Sequence, residues 1–507
     1  MNRRLLIGVI IILTFATGLV VAQDDGEPQT GGTLRAAWQS GWESLDPHVA
    51  SSEATFQVLN NVMETLTFYD DDMNLIPWLA ESWEQSEDGL TWTFHLREGV
   101  MFSNGREMTA DDVTWSLNRL IDPEIASGGS WRIGTDSTIA AVDPYTVEIV
   151  TTVPNATLPN ALGANKSTGI LAPESENEDG TIDVPIGTGP FVISEVEGTT
   201  RILLTANEGY WTEGYPYLDA VEVVPYEDDA ARQLALTGGE VDWIITISPQ
   251  DLEQLQEDPD VVVELSPRLS YDYFGVNLNR EPFNSREVRR AIAFALDREQ
   301  ICAFAYFNIC EPIHGPTASG SPWYFPYAPY DRDLDIARSL LEEAGYGDGF
   351  SFVMNTVVGF EETQRAAQVV QQQLAEIGVN VEIQSEEAAV IIEKEGTGDF
   401  DAIMWSWLGL TDAADYFYLQ HHTGEGLNFT GYSNPEFDAL VEAGSQVGDF
   451  DERYEIYEQA NQILVDDAPY IYMYAKSEVK AWAPYVKGYM VRPDSANNFW
   501  TVWLDNE

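Results

Sequence analysis

The sequence predicts an α/β architecture, and three observations lead to it. Apolar residues alternate in some segments and recur every three or four residues in others, and the two kinds of segment follow one another along the chain, unlike a sandwich or a helical bundle. Hydrophobic residues make up 44% and aromatics 12% of the 507 residues, with 15 Trp and 23 Tyr, so large cores can be buried. At roughly 100–200 residues per domain, the chain divides into about two to four domains.

In chain order, residues 23–33 are rich in Gly, Asp and Gln and lead into a first strand over 33–37. Glu43-Ser44-Leu45-Asp46-Pro47-His48 is a turn, because Pro47 restricts the residue before it. Residues 54–63 place Phe56, Leu59 and Val62 on one side of a short helix, and 91–100 set Trp92, Phe94 and Leu96 against Thr93, His95 and Arg97, the alternation of a half-buried strand. Thr109 heads a helix carrying Val113, Leu117 and Leu120. Residues 145–151 are a strand, and the acidic 170s a surface loop before Ile186-Gly187-Thr188-Gly189-Pro190-Phe191. From Asn284-Ser285 onward, Val288, Ala291, Ile292 and Ala295 mark one buried helix face. Residues 331–344 repeat this with Leu334, Ala337, Leu340 and Leu341, and Gly345 supplies the exit. Thr363 is expected to cap a helix whose Val369, Val370, Leu374 and Ile377 face inward; a strand over 379–383, a buried strand over 400–405 and a helix over 452–464 complete the pattern, with no internal repeat.

Charge excludes one class of function. Against 84 Asp+Glu there are 25 Lys+Arg, a formal net charge of -59, and no basic surface can offset that field against a phosphate backbone. Nucleic acid is therefore not an expected partner. The excess acid is spread through the body, as in proteins of saline surroundings, where screening relieves self-repulsion.

The N-terminus carries Arg3 and Arg4, an apolar run over residues 5–21 and the exit Val20-Val21-Ala22, followed by Gln23-Asp24-Asp25. This is the pattern of a secretory signal over residues 1–22. A transmembrane anchor is the alternative, for which the run is a little short of the roughly 20 residues a span needs. No cysteine follows the expected cleavage point, so the expectation is a soluble exported protein, periplasmic or extracellular, without a lipoprotein anchor. Cys302 and Cys310 are the only cysteines, and export makes a disulfide between them the expectation; a continuous helix would hold residues so spaced too far apart, so the chain must leave helix between them. His48, His95, His314, His421 and His422 fall in no metal-ligand spacing. Neither a Gly-x-Ser-x-Gly elbow, a His-Glu-x-x-His helix nor a phosphate-cradling Gly-rich loop with Lys is present, so a hydrolase using paired carboxylates has no motif in its favour.

Several longer stretches carry a resemblance: GGTLRAAWQSGWESLDPHVA (31–50), FSNGREMTADDVTWSLNRL (102–120), IGTGPFVISEVEG (186–198), YFGVNLNREPFNSREVRRAIAFALDREQI (273–301), YDRDLDIARSLLEEAGYGDGF (330–350), GDFDAIMWSW (398–407) and NFTGYSNPEFDALVEAG (428–444). In them the chain resembles the family 5 extracellular solute-binding proteins of ATP-driven dipeptide, oligopeptide and nickel importers. The resemblance implies a two-lobed periplasmic-binding-protein fold of type II, with an extra subdomain and a ligand cleft between the lobes. Lobe one is expected over residues 31–64, 185–275 and 486–507, the extra subdomain over 65–184, and lobe two over 276–485, with hinges near 276 and 485. The implied function is capture of di- or oligopeptides and delivery to the permease subunits of an ABC importer, by a monomer with no cofactor and no enzymatic reaction. Oligosaccharides are the alternative ligand.

The resemblance also locates candidate ligand contacts. Peptide binders of the family hold the ligand ammonium with an aspartate shortly after a Trp strand end, and pair ligand backbone with the loop after the LDPH turn. Here Leu410-Thr411 stands where many have Asp-Tyr, and the nearest carboxylates are Asp412 and Asp415, so Asp412 is either the amine partner or a turn or helix-cap residue. Ser51, Ser52 and Glu53 match the pairing loop or simply start a helix. Trp405 and Trp407, two apart on a strand, share a face and either wall the cleft or fill the core. Trp38 and Trp42 are similar candidates, with a packed lobe surface as the alternative, and Phe274 lies on the implied hinge strand, mainly as hinge and secondarily as contact.

Overall fold

The computed structural model describes residues 27–164, 167–407, 409 and 411–505, so the expected signal segment over 1–22 lies outside the described residues. Two open sheets share one long strand. In the first, Thr33–Trp38 runs parallel to Ala220–Pro225 and to Trp243–Ile244, and the sheet continues antiparallel through Arg201–Ala206 and Phe191–Glu197. In the second, Phe350–Val357 lies parallel between Val379–Glu386 and Ala402–Trp407, and Ala402–Trp407 pairs antiparallel with Tyr271–Val276. The helix Glu361–Ala375 makes the crossover that parallel pairing requires. The long strand Tyr470–Trp482 belongs to both sheets: its first residues pair with Tyr271–Val276, and its last with Val262–Pro267 and Trp243–Ile244.

Three bodies follow from the buried clusters. Trp38, Trp42, Trp243 and Phe499 lie in the first sheet's core, and Phe274, Val288, Ile292, Leu374 and Met404 in the second's. A four-stranded antiparallel sheet in the order Ala80–Gln85, Thr91–Leu96, Thr146–Val150, Thr138–Asp143 packs with the helix Ala110–Ile121 around a separate core including Phe94, Val113, Leu117 and Ile149. Glu64 pins this subdomain to the first body. Its buried carboxylate accepts from Trp78 Nε1 at 2.8 Å, Thr188 Oγ1 at 2.7 Å, Tyr210 OH at 2.9 Å and Trp211 Nε1 at 2.9 Å. Burial pushes its pKa up and the four donors pull it back.

Two motifs find structural reasons here. In Ile186-Gly187-Thr188-Gly189-Pro190-Phe191, a Cβ at Gly187 or Gly189 would collide with the Val62 backbone, and Gly189 N–H donates to the Val62 carbonyl at 2.9 Å. The Asp46-Pro47-His48 turn is an anchor: Arg119, on the subdomain helix, donates to Asp46 Oδ1 at 3.0 Å, to Asp46 Oδ2 at 2.7 Å and lies 2.8 Å from His48 Nδ1. Burial and the Arg119 charge hold His48 down at about 4, so it stays neutral.

Local expectations meet small shifts. Thr109 N–H donates to Asp112 at 2.8 Å in a capping box, and Ser285 Oγ accepts from Val288 N–H at 3.4 Å at the head of Arg286–Ala295. The helix expected to start at Thr363 begins at Glu361, where Glu361 and Glu362 suit its positive end, and Thr363 is buried inside. The strand expected to end at 405 runs on to Trp407. Cys302 and Cys310 are joined by a disulfide, with the helix Arg298–Tyr306 ending in between at Phe307, in the left-handed region.

Candidate ligand-binding cleft at the hinge

The chain crosses from the first sheet to the second twice, and both crossings lie side by side. One is the link Arg268-Leu269-Ser270 between Val262–Pro267 and Tyr271–Val276; the other is the middle of Tyr470–Trp482. Arg268 N–H donates to the Lys476 carbonyl at 2.8 Å, tying the crossings together.

Beside them lies a cavity of about 210 Å³, lined by Glu53 and Pro493-Asp494-Ser495 from the first body, Arg268, Ser270 and Lys476 at the crossings, and Phe360, Ser406, Trp407 and Gly409 from the second. Each is placed by local structure. Glu53 opens the helix Glu53–Leu59, whose cap Ser52 accepts from Thr55 N–H at 3.3 Å; the N–H groups of Ser51 and Ser52 donate to Glu43 Oε1 at 2.5 and 2.7 Å. Ser495 is held by Gln57 Nε2 donating to its carbonyl at 3.1 Å. Phe360 precedes the helix Glu361–Ala375, and Ser406 and Trp407 end their strand. Trp407 is half-buried, stacks near Tyr273 with ring centroids 6.3 Å apart, and donates from Nε1 to Tyr470 OH at 3.3 Å.

The charges of the cleft are fixed by a buried network. Arg268 pairs with Glu478 and donates to Ser495 Oγ at 3.1 Å, and Lys480 Nζ lies 2.7 Å from Glu478 Oε2. Burial alone would raise Glu478, but Lys480 and Arg268 hold it down at about 2. Lys476 Nζ lies 3.4 Å from Glu362 Oε1 and 3.7 Å from Asp272 Oδ2, and burial pushes Asp272 up to about 6 against the pull of Lys476. The floor thus carries cations from the hinge, carboxylates from the first body and aromatic faces from the second.

Of the residues singled out by sequence, Glu53 and Trp407 line this cleft, and Ser52 caps the helix that Glu53 opens. Trp405 is half-buried next to it, edge-on to Phe360 at 6.5 Å. The others lie elsewhere. Trp38 is fully buried, 5.3 Å from Trp243 and 6.0 Å from Phe499, and Trp42 is buried with Nε1 donating to the Gly198 carbonyl at 3.0 Å, so both serve the first core. Phe274 is fully buried and stacks on Phe352 at 5.9 Å. Asp412 caps the helix Ala413–His421, accepting from Ala414 N–H at 2.9 Å, and is bidentate with Arg453 at 2.9 and 2.7 Å. A carboxylate so buried and paired is not available to a ligand amine. Sequence reasoning missed Arg268, Ser270, Phe360, Lys476 and Pro493-Asp494-Ser495, which no motif marks, and passed over Ser406 between the two singled-out tryptophans. Two larger cavities, of about 480 and 410 Å³, lie between the extra subdomain and the second body. Among the described residues no group of His, Cys, Asp and Glu is placed to hold a metal ion.

Residues 74–428 match the family described as bacterial extracellular solute-binding proteins, family 5 Middle. The chain belongs to this family. It is 29% identical over 476 residues to the glutathione-binding protein GsiB of Salmonella typhimurium, covering 91% of this chain and 92% of that protein. Its fold superposes on the ABC transporter-associated periplasmic binding protein DppA from Helicobacter pylori, in complex with peptide STSA, with a TM-score of 0.76 at 28% identity, covering 94% of this chain and 99% of that one. It superposes on the nickel ABC transporter protein from Bacillus halodurans with a TM-score of 0.80 at 29% identity, covering 92% and 98%. The protein is therefore a two-lobed extracellular solute-binding protein.

Proposed function

We propose that the hinge cleft captures short peptides and presents them to the permease of an ATP-driven importer. The observation that carries this reading is the wall chemistry: Arg268 and Lys476 on one side, Glu53 and Asp494 on another, and the rings of Trp407 and Phe360 around one cavity. A peptide offers a cation, an anion, backbone amides and side chains to such walls. A neutral oligosaccharide would use the aromatic faces but would have no charge of its own to set against these ionic walls. The volume of about 210 Å³ is below the roughly 300–1,000 Å³ of sites for drug-sized ligands, which favours a peptide of few residues. The glutathione-binding and peptide-bound relatives support the same ligand class.

The lobes of this reading meet at residues 268–270 and 475–477 instead of 276 and 485, because Tyr271–Val276 hydrogen-bonds to Ala402–Trp407 and its Phe274 side chain fills the second core. Rotation there would open and close the cleft, and the closed surface is what a permease can read.

Calorimetric titration with alanine peptides of increasing length and with maltooligosaccharides tests the proposal. Peptides should give saturable heats, and Trp407→Ala should weaken them by about tenfold or more, or roughly 1.4 kcal/mol. Saturable binding of the sugars alone would overturn it.

A further inference from the structure

The larger of the two seam cavities, about 480 Å³, lies apart from the hinge cleft and shares no lining residue with it. The extra subdomain contributes Trp131, Arg132 and Val153, and the second lobe contributes Asp415, Leu419 and Glu442. Glu442 is engaged, 2.9 Å from His422 Nε2. Arg132 and Asp415 are not: both are half-buried, and neither has an ion-pair partner among the described residues. The Arg132 guanidinium lies over the Trp131 ring at 4.7 Å, and that ring is 49% exposed. Arg132 and Asp415 act on each other's charge, yet burial pushes Arg132 down and, with Asp412, raises Asp415 to about 7. A guanidinium and a carboxyl group held in a largely apolar cavity without ion-pair partners among the described residues call for a ligand that supplies both complements, an ammonium group drawing Asp415 into its charged form.

We propose that this seam cavity is a second binding site, taking a zwitterionic α-amino acid with an apolar side chain, its carboxylate on Arg132 and its ammonium on Asp415. The chemistry narrows the class. A simple anion would satisfy Arg132 but add repulsion at Asp415, and a simple cation would do the reverse. An amino acid neutralises both and places its side chain against Trp131, Val153 and Leu419. The planar guanidinium fits a carboxylate with two parallel hydrogen bonds, and stacking on Trp131 restrains it for that role. This inference does not depend on the ligand of the hinge cleft.

The test uses the full mature chain, with L-phenylalanine and L-leucine as probes and phenylalaninamide as the control lacking the carboxylate, followed by calorimetry and saturation-transfer NMR. The amino acids should bind saturably, the amide about tenfold more weakly, and Arg132→Gln and Asp415→Asn should each lose about tenfold in affinity while keeping the wild-type melting profile. Trp407→Ala should retain amino-acid binding. Three results would overturn the proposal: no saturable binding of either amino acid to the wild type, unchanged affinity in both seam variants, or loss of binding in Trp407→Ala, which would put the amino acid in the hinge cleft.

Discussion

Asn160, on the short helix Leu158–Leu162 of the extra subdomain, donates from Nδ2 to Asp412 Oδ2 of the second lobe at 2.7 Å. Together with Ala156 N–H donating to the Ser445 carbonyl at 3.3 Å, it clasps the seam between the two bodies. Asp412, oriented by Arg453, thus receives a donor from across this seam.

Removing the clasp should loosen closure without touching the ligand. Asn160→Ala is expected to weaken ligand binding at the hinge about fivefold, the effect of one hydrogen bond on the order of 1 kcal/mol. Calorimetry paired with small-angle scattering reads this as lower affinity and a more open unliganded form. Unchanged affinity and dimensions would remove Asn160 from the closing mechanism.

Arg453 carries more weight. Both terminal guanidinium nitrogens donate to Asp412, Nε donates to the Gly444 carbonyl at 2.9 Å, and the group lies over Trp323 at 4.9 Å. Arg453→Ala leaves a buried carboxylate uncompensated, and urea denaturation should show a loss of about 3–5 kcal/mol. A loss below about 1 kcal/mol would mean that solvent reaches Asp412 in the native state.

Glu395 sets a pH dependence. Burial pushes its carboxyl up to about 7 from an ordinary 4.5, and its hydrogen bond from Tyr273 OH at 3.3 Å only partly offsets this. A folded pKa above the unfolded one means that the protonated form favours the fold: the contribution is fully present below about 4.5 and is lost as pH rises through about 7. Glu395→Gln should therefore stabilise the protein at pH 8 by on the order of 1–2 kcal/mol and converge with wild type near pH 4. Parallel stability curves across that range would contradict the assignment.

The acidic surface makes stability depend on salt. With a net charge of -59, self-repulsion destabilises the compact state until counterions screen it. Melting temperature should rise steadily from low to molar NaCl. A flat or falling curve would show that local ion pairs such as Arg201 with Glu195 and Glu222 already balance the field.

Much of the local structure was legible because its causes are local. The apolar face of Arg286–Ala295 and its Ser285 cap, the Thr109 capping box and the alternation of Thr91–Leu96 each need only a few neighbouring residues. The long strand Tyr470–Trp482 was not, since its Tyr470-Ile471-Tyr472-Met473-Tyr474 half is buried on both faces and shows no alternation. That strand carries one of the two crossings, so neither the crossings nor Arg268 and Lys476 beside them are visible from local patterning. Trp405 and Trp407 could be placed on one strand face, whereas Trp38 is committed to the core by Trp243 and Phe499, far away in sequence. For Asp412 the structure shows the helix cap, but the choice between that reading and the amine partner was not legible, because its partner Arg453 lies 41 residues on.

The central claim, a short peptide in the hinge cleft, is tested most directly by mass spectrometry of small molecules released when the mature protein, purified without refolding, is denatured. Short peptides at near-stoichiometric amounts, reduced in the same preparation of Trp407→Ala, are the predicted result. Stoichiometric oligosaccharide in their place would contradict the account and make Trp407 and Phe360 a platform for sugar rings.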